Sequence, residues 1–208
     1  MAWRFIDNGV TVGCKSLDDG VQSARLRTTT SIGAAMSFLD LATSRYSCCA
    51  FTDEPVIQAE LDQLLEAVRV APTAKNTQPV KVWVFRSEEA LEKIRACTRC
   101  HFDAPLLVLF GADSNAEGVF VRPSDGQNAA IGDATIVATH YMLEAKDLGL
   151  DTCWVGFFDT PAINEAFPQT VGYDLVGLFP TGHAAPEKGD PSPRHTQRKE
   201  LSEYVEEL

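Results

Sequence analysis

The chain has 208 residues, of which 45% are hydrophobic and 23% charged, so it is large enough to bury a core of one domain or two small ones. Its formal net charge of −11 argues against nucleic acid as a partner, because phosphate backbones are bound by clustered Lys and Arg. The sequence contains neither a membrane-spanning apolar run nor a recognisable secretory signal, so we expect no membrane partner and a cytoplasmic location.

Residues 1–35 differ in character from the rest of the chain. They carry several glycines and a run of three threonines, with no sustained helical or strand period. We expect a loosely attached extension here, although an arm with a strand pair around Trp3–Phe5 and Val10–Val12 is the alternative. A clear pattern begins at Met36, so we predict one domain over residues 36–208.

The first strong helical pattern runs from Glu54, and Pro72 ends it. Apolar residues at helical spacing carry it: Ile57, Leu61, Leu64, Leu65 and Val68. Val80–Phe85 then reads as a half-buried strand. Ser87 is a natural N-cap, with two glutamates favourably placed on the first turn, so a second helix should start there.

The second half of the chain alternates in the same way. The longest helix has an apolar stripe from Ile131 to Leu148, with Gly149 as its C-cap, and Pro161 stands at the first position of a short helix. Three apolar runs predict buried strands: Pro105–Gly111, Thr152–Phe157 and Leu175–Phe179. Strands alternating with helices imply a sheet sandwiched between helices. The proline-rich tail from Ala185 should run extended, and it would be stable if it lay on another subunit.

Six cysteines are present: Cys14, Cys48, Cys49, Cys97, Cys100 and Cys153. Cys97 and Cys100 have the CxxC spacing that redox enzymes and zinc sites both use. A zinc site needs two more ligands, and only His101 is close in sequence. The pair also ends a helical pattern, whereas a thioredoxin-like site would begin a helix. We therefore expect reduced, structural thiols.

Three separated segments carry the remaining chemistry. Arg45–Phe51 (RYSCCAF) leads into Asp53–Val56, Ala71–Pro79 reads APTAKNTQP, and Asp147–Gly156 reads DLGLDTCWVG. A fourth, looser match is the arginine-containing stretch Pro191–Leu201. In this order and spacing, from about Met36 to the end, the chain resembles the nitroreductase family.

The resemblance implies an α+β fold: a three-layer α-β-α sandwich with a mainly antiparallel central sheet and a domain-swapped C-terminal arm. It also implies a homodimer with FMN sites at the subunit interface and NADH or NADPH as cosubstrate. The expected reaction is ping-pong reduction of a small-molecule electron acceptor, such as a nitroaromatic, a quinone or an activated alkene. Because the flavin supplies the chemistry, we assign no catalytic side chain.

The resemblance assigns the site residues position by position. Arg45 and Ser47 would bind the flavin phosphate, with Arg194 or Arg198 closing it from the tail. Asn76 and Gln78 suit the polar edge of the flavin ring, and in the family this element reaches the flavin held mainly by the other subunit. The full predicted cofactor-binding set is Arg45, Tyr46, Ser47, Cys49, Pro72, Thr73, Lys75, Asn76, Gln78, Trp154, Val155, Gly156, Arg194 and Arg198.

Several of these residues have a simpler structural interpretation. Asn76 fits a turn, Gly156 could be a bend at a strand end, and Trp154 is equally suited to the core. Val155 and Gly156 are expected beside flavin N5, where their backbone N–H groups would face the flavin. Asp133 begins a helix and is better read as a cap or dimer contact than as an acid catalyst.

Cys49 departs from the family, which commonly has a basic residue at this position. Nearby positive charge favours reduced flavin, so either Lys75 compensates or the flavin potential is lowered. Two alternative functions stay open. One is a specialised reductase or dehydrogenase for a single metabolite, and the other is a flavin-binding redox sensor that uses Cys48, Cys49, Cys97 or Cys100.

Overall fold

The computed structural model describes residues 36–208, and the predicted extension over residues 1–35 with its alternative strand pair lies outside the described residues. The elements in chain order are α1 (Phe38–Ser44), α2 (Gln58–Val70), β1 (Val80–Phe85), α3 (Glu88–Arg95), β2 (Leu106–Ala112), α4 (Ala130–Asp147), β3 (Asp151–Thr152), α5 (Thr160–Ala166) and β4 (Asp174–Gly182). Short 3-10 turns lie at Ala74–Asn76, Pro168–Thr170 and Leu201–Glu203. No helix within residues 36–208 is long and apolar enough to cross a membrane.

The four strands form one sheet in the order β1-β2-β4-β3, and each neighbouring pair is antiparallel. β2 lies between two partners, and all seven of its residues are buried, as its continuous apolar run predicts. The predicted α+β class with a mainly antiparallel central sheet is confirmed. The exchange of a C-terminal arm between subunits stays a prediction.

The two faces of the sheet bury separate sets of side chains. Successive residues of a strand point to opposite faces. Leu106, Val108 and Phe110 accordingly join one core cluster with residues of α2 and α4, whereas Leu107 and Leu109 join another with residues of α3 and α5. Each fully buried side chain of this size contributes about 1.5–3 kcal/mol. The result is the predicted sheet between two helical layers.

Two helix ends follow from the sequence as predicted. The side chain of Ser87 accepts a hydrogen bond from Ala90 N and caps α3. At the end of α4, Gly149 has a φ of +79°. Gly149 N donates to Lys146 O at 3.1 Å and Leu150 N donates to Ala145 O at 2.8 Å, which is the Schellman pattern. α4 therefore stops sharply, and β3 starts two residues after the glycine.

The predicted strand Thr152–Phe157 is wrong over most of its length. The regular strand is only Asp151–Thr152, and Val155 then forms an isolated bridge with Leu178. Gly156 and Phe157 are exposed, and Phe157 retains 60% of its accessible surface. Some apolar residues of this run are exposed and others are in the core, so the apolar composition did not show that the whole run is a buried strand.

Other bounds also shifted from the sequence prediction. α2 starts at Gln58 rather than near Glu54, and Pro161 is the second residue of α5 rather than the first. α1 was not predicted, because seven residues with no buried side chain show no helical stripe. Its local signal is a capping box, in which Ser37 and Asp40 bond to each other's backbone N–H.

Candidate functional site

The segment after α1 runs beside the segment after α4. Arg45 is the C-cap of α1, and its N–H donates to Leu41 O. Ser47 forms a parallel bridge with Thr152, and Cys48 N donates to Thr152 O at 3.0 Å. These contacts bring two of the sequence-predicted segments, RYSCCAF and DTCWVG, together in one chain.

Tyr46 lies against an ion pair at the end of α4. Lys146 Nζ binds Asp151 Oδ1 at 2.8 Å, and the same ammonium lies 4.8 Å from the centre of the Tyr46 ring. The Asp151 side chain is 8% exposed and that of Lys146 is 20% exposed. Burial, followed by the negative charge of Asp151, raises the pKa of Tyr46 to about 12, so Tyr46 is a neutral phenol at physiological pH.

The C-terminal tail contacts this same segment of its own chain. His195 Nε2 lies 3.0 Å from Thr43 O, as a donor in the tautomer that carries the proton there, and its ring meets the Tyr46 ring edge-on at 6.0 Å. Arg194 and Arg198 flank this contact, and both are exposed. Within residues 36–208, neither they nor Arg45 contact a carboxylate. The basic side chains that do so are Arg69, Lys93, His101, Arg122, Lys146, His183 and Lys199.

Trp154, Val155 and Gly156 face in different directions. Trp154 packs on Phe179 at 4.9 Å between ring centres, so it belongs to the core, as its simpler interpretation held. The Val155 side chain is buried, and Val155 N donates to Leu178 O at 2.9 Å. That N–H is therefore already used by the sheet. Gly156 is the member of the three that faces open space.

The local backbone does not require a glycine at position 156. Its φ is not among the positive values in the described chain, and a Cβ built there would meet no atom within 4 Å. A strand-end bend that required glycine would show one of these two signs. An approaching flat molecule would gain close access to the backbone at this position.

The Ala71–Pro79 segment forms a strained loop. Lys75, Asn76 and Gln78 have φ values of +53°, +56° and +51°, in the left-handed region that non-glycine residues rarely adopt. Such residues cost about 1–3 kcal/mol each and cluster at functional sites. Gln78 N donates to Thr73 Oγ1 at 3.0 Å, which closes the loop on itself. Pro72 precedes this closure and is exposed.

Asp133 holds the strained loop from the first turn of α4. Its Oδ1 accepts a hydrogen bond from Ala74 N at 2.9 Å, while Asp133 is only 4% exposed. Its other oxygen, Oδ2, is buried with no hydrogen-bond partner among the described residues. The role expected for Asp133 was a cap or dimer contact; Ala129 is the N-cap of α4, and Asp133 instead accepts a hydrogen bond from the loop, while a dimer contact stays a prediction.

The structure brings the predicted residues together in two groups rather than one. Asp133 and the loop lie at the start of α4, whereas Lys146, Asp151 and Tyr46 lie at its end. Lys146 follows Asp133 by thirteen positions of helix, which corresponds to about 20 Å at 1.5 Å per residue. We call residues 72–78 the loop group, and residues 45–49, 154–156, 194 and 198 the arginine group. The loop of the first group and Tyr46 of the second therefore stand at opposite ends of one helix.

The CxxC pair lies within the fold, beneath one face of the sheet. Cys97 is buried, its Sγ contacts Lys93 O at 3.4 Å, and Cys100 packs against the same core cluster. Among residues 36–208, no three His, Cys, Asp or Glu side chains are grouped closely enough to hold a metal ion.

Sequence reasoning missed the residues that orient the site. Lys146 was not singled out and Asp151 was only one residue of the segment Asp147–Gly156, although Gly149 between them signals that the chain turns back there. His195 lies in the stretch Pro191–Leu201 and was given no role in the site. The buried carboxylate of Asp133 was visible as an acidic residue on a helix start, but nothing in the sequence told which loop it would contact.

Comparison with known proteins gives a consistent result. The model of the nitroreductase family matches residues 42–105 and 97–183. A protein of Stenotrophomonas maltophilia (strain R551-3), with the provisional name NADH dehydrogenase/NAD(P)H nitroreductase, is 31% identical over 160 residues, which cover 62% of this chain and 82% of that protein. The FMN reductase [NAD(P)H] of Bacillus subtilis (strain 168) is 34% identical over 128 residues, 55% of this chain and 51% of that enzyme.

Solved structures agree. A nitroreductase family protein from Clostridium difficile 630 is 33% identical, with a TM-score of 0.75 over 82% of this chain and 98% of that one. A provisionally named nitroreductase from Exiguobacterium sibiricum 255-15, solved in complex with FMN, shares the fold at 21% identity, with a TM-score of 0.71 over 84% of this chain and 98% of that one. From its matched residues and its relatives, the chain belongs to the nitroreductase family.

Proposed function

We propose that this protein is an FMN-dependent oxidoreductase, which takes reducing equivalents from NADH or NADPH and passes them to an electrophilic acceptor in a ping-pong reaction. Family membership supports the class, and the similar enzyme of B. subtilis is named FMN reductase [NAD(P)H]. The observation that carries the proposal is the pair of groups at the two ends of α4. Each group supplies one half of a flavin-binding surface.

The arginine group of residues is suited to bind a dianionic phosphate. Arg45, Arg194 and Arg198 have no carboxylate partner among residues 36–208, in a chain whose formal net charge is −11. Ser47 is exposed beside Arg45 and offers a hydroxyl donor. Unpaired guanidinium groups in so acidic a chain suit an anion, which they bind by charge-assisted hydrogen bonds. The contact of His195 with Thr43 brings the tail arginines to the same place.

The open backbone at Gly156 fits the flat ring of the same cofactor. Gly156 is exposed, and its N–H has no backbone partner among residues 36–208, whereas Val155 N is bonded to Leu178 O. When bound, FMN would supply the hydride chemistry, while the protein supplies orientation and electrostatics. The protein's part at this position is to allow close approach and to offer one directed donor.

The loop group would complete the site from a second copy of the chain. Asn76 and Gln78 carry amides that both donate and accept, as the polar edge of the ring requires. Their backbone is held in an uncommon conformation, which is a cost that a binding role would explain. Because about 20 Å of helix separates this loop from the arginine group in one chain, we propose a homodimer in which each site combines the loop group of one subunit with the arginine group of the other.

A cleft beside Gly156 would admit the acceptor. It has a volume of about 670 Å³, and its lining includes Thr98, Arg99, Phe157 and Asp159. The guanidinium of Arg99 stacks on the exposed Phe157 ring at 4.5 Å. A flat aromatic surface with a cation over it suits an electron-poor, planar acceptor such as a quinone or nitroaromatic.

The absorbance spectrum of the purified protein tests the proposal. We expect oxidised-flavin bands after reconstitution with FMN, and bleaching of these bands by NADH or NADPH under anaerobic conditions. Turnover with a quinone and with a nitroaromatic then tests the acceptor class. A protein that binds no FMN would contradict the proposal, and a flavoprotein inactive with both acceptors would indicate an enzyme specialised for one metabolite.

A further inference from the structure

Several polar groups of the proposed acceptor cleft are already bonded within the fold. Thr98 Oγ1 donates a hydrogen bond to Phe157 O at 2.6 Å. Asp159 Oδ1 accepts a hydrogen bond from Ala162 N at 3.0 Å, which caps α5. The backbone N–H of Asp159 donates to Cys97 O at 2.9 Å. These bonds hold the walls of the cleft together, so a ligand that needs strong hydrogen-bond donors must find them on another lining residue.

Arg99 supplies such donors. It is exposed, and its guanidinium carbon lies 4.5 Å from the centre of the Phe157 ring. Within residues 36–208, Arg99 contacts no carboxylate. The arginine side chains that donate hydrogen bonds in that part of the chain are Arg69, Arg86, Arg95, Arg122 and Arg198. The N–H groups of Arg99 are therefore available to a ligand, while the Phe157 ring fixes the position of the guanidinium.

The charges of the cleft are separated. Arg99 is the cation of its lining and Asp159 is the carboxylate, and the two side chains do not form an ion pair with each other in the described chain. A guanidinium binds a carboxylate through two parallel N–H groups, whereas a neutral group lacks the charge that strengthens these bonds. The Phe157 ring, which is 60% exposed, offers apolar contact beside it. A planar molecule with an anionic substituent would use both features.

We propose that Arg99 makes the enzyme prefer planar acceptors that carry an anionic group. The guanidinium of Arg99 binds the anion while the acceptor ring packs against Phe157, and repulsion by Asp159 orients the anion away from that side of the cleft. Arg99 thus determines specificity and takes no part in the transfer of electrons. The inference rests on the proposed function, because it uses the cleft assigned there to the acceptor.

Two matched nitroaromatic acceptors test the preference in the FMN-reconstituted protein. The compounds 4-nitrobenzoate and 4-nitrobenzamide are both planar and similar in size, but only the first is an anion. We measure the ratio of their kcat/KM values at low ionic strength in the wild type and in Arg99→Gln. Because the intrinsic reactivity of each compound is the same with both proteins, it cancels when the two ratios are compared. We expect the ratio to fall about fivefold in Arg99→Gln, as for a favourable exposed ion pair.

Three further measurements separate charge at Arg99 from a general loss of structure. Arg99→Lys keeps the charge without the fork of donors and should retain part of the preference. High salt should reduce the wild-type ratio and leave that of Arg99→Gln nearly unchanged. The matched control Arg86→Gln removes an exposed arginine that donates to Gln58, and its ratio should equal that of the wild type.

The inference is overturned if Arg99→Gln has the wild-type ratio. It is also overturned if the variant changes only the KM for NADPH relative to NADH, since Arg99 would then bind the phosphate of the cosubstrate. A protein that reduces neither compound contradicts the proposed acceptor class, and ligand-observed NMR titration of the full-length protein then decides about Arg99. We expect 4-nitrobenzoate to bind more tightly than 4-nitrobenzamide, with the difference lost in Arg99→Gln. Equal binding of the two compounds to the wild type would overturn the inference.

Discussion

The two ends of α4 carry the two halves of the proposed site in different ways. At its C-terminal end charge dominates: Arg45 has no carboxylate partner among residues 36–208, while Lys146 and Asp151 bind each other beside Tyr46. At its N-terminal end a strained loop is hydrogen-bonded to the carboxylate of Asp133. In the proposed site, one end would bind the cofactor through side-chain charge and the other would present a shaped backbone. Mutations at the two ends should therefore lower FMN affinity for different physical reasons.

The double variant Arg45→Ala, Ser47→Ala should give the largest effect. In the proposed site it would remove two charge-assisted hydrogen bonds to phosphate, each worth about 1.5–3 kcal/mol. The dissociation constant for FMN should rise roughly 100- to 10,000-fold, while thermal unfolding stays close to wild type because both side chains lie outside the core. Fluorescence titration of FMN measures this. The control Arg86→Ala removes an exposed arginine elsewhere, and FMN affinity equal to wild type in the double variant would contradict the phosphate assignment.

Loss of the Lys146 ammonium should act through stability first. Lys146→Met leaves the carboxylate of Asp151, whose side chain is 8% exposed, without its partner. We expect the free energy of unfolding to fall by about 2–3 kcal/mol, since an uncompensated buried charge is costly. The matched control Lys93→Met breaks an exposed pair with Glu89 and should cost under about 1 kcal/mol. Urea denaturation compares them, and equal costs would show that the pair at the α4 end is solvated.

Asp133→Ala should weaken the other end of the helix. Ala74 N loses a hydrogen bond to a charged acceptor, worth about 1.5–3 kcal/mol, and the strained loop loses its anchor. We expect FMN affinity to fall about tenfold or more, and amide exchange at Ala74 to accelerate. Unchanged exchange at Ala74 would mean that other contacts hold the loop. Asp113→Ala serves as a control, because that carboxylate bonds only within its own turn.

Gly156→Ala should have the smallest effect on stability. The added Cβ meets no atom of residues 36–208 within 4 Å and the φ is not left-handed, so the free energy of unfolding should change by under about 0.5 kcal/mol. Gly177→Ala is the contrast, because its Cβ would lie 2.8 Å from Trp154 Nε1 and should destabilise the fold. Anaerobic flavin reduction should nevertheless slow in Gly156→Ala. A wild-type rate there would show that the ring does not approach this backbone.

The sequence predicted what depends on local pattern. β1 has the predicted bounds Val80–Phe85, Ser87 caps α3, and Gly149 ends α4, because alternation, capping and the left-handed turn are properties of neighbouring residues. The end of the predicted strand Thr152–Phe157 was wrong, since its apolar residues are divided between the core and an exposed surface.

The site residues were predicted by resemblance, and their arrangement was not. The order of the residues did not indicate that the loop group and the arginine group stand at opposite ends of one helix. Contacts such as those of Asp133 with Ala74 and of Cys48 with Thr152 join segments more than fifty residues apart. Long-range contacts of this kind arise from packing, and single-sequence patterns do not carry them.

Complementation between two defective chains tests whether each flavin site combines residues of two subunits. The variant Arg45→Ala, Ser47→Ala and the variant Asn76→Ala, Gln78→Ala should each be inactive alone, because every site then lacks one half. When the chains are unfolded together and refolded, half of the dimers should be mixed and hold one intact site, so about a quarter of wild-type NAD(P)H-dependent flavin turnover should return. If the mixture stays as inactive as its components, each site lies within one chain and the account is wrong.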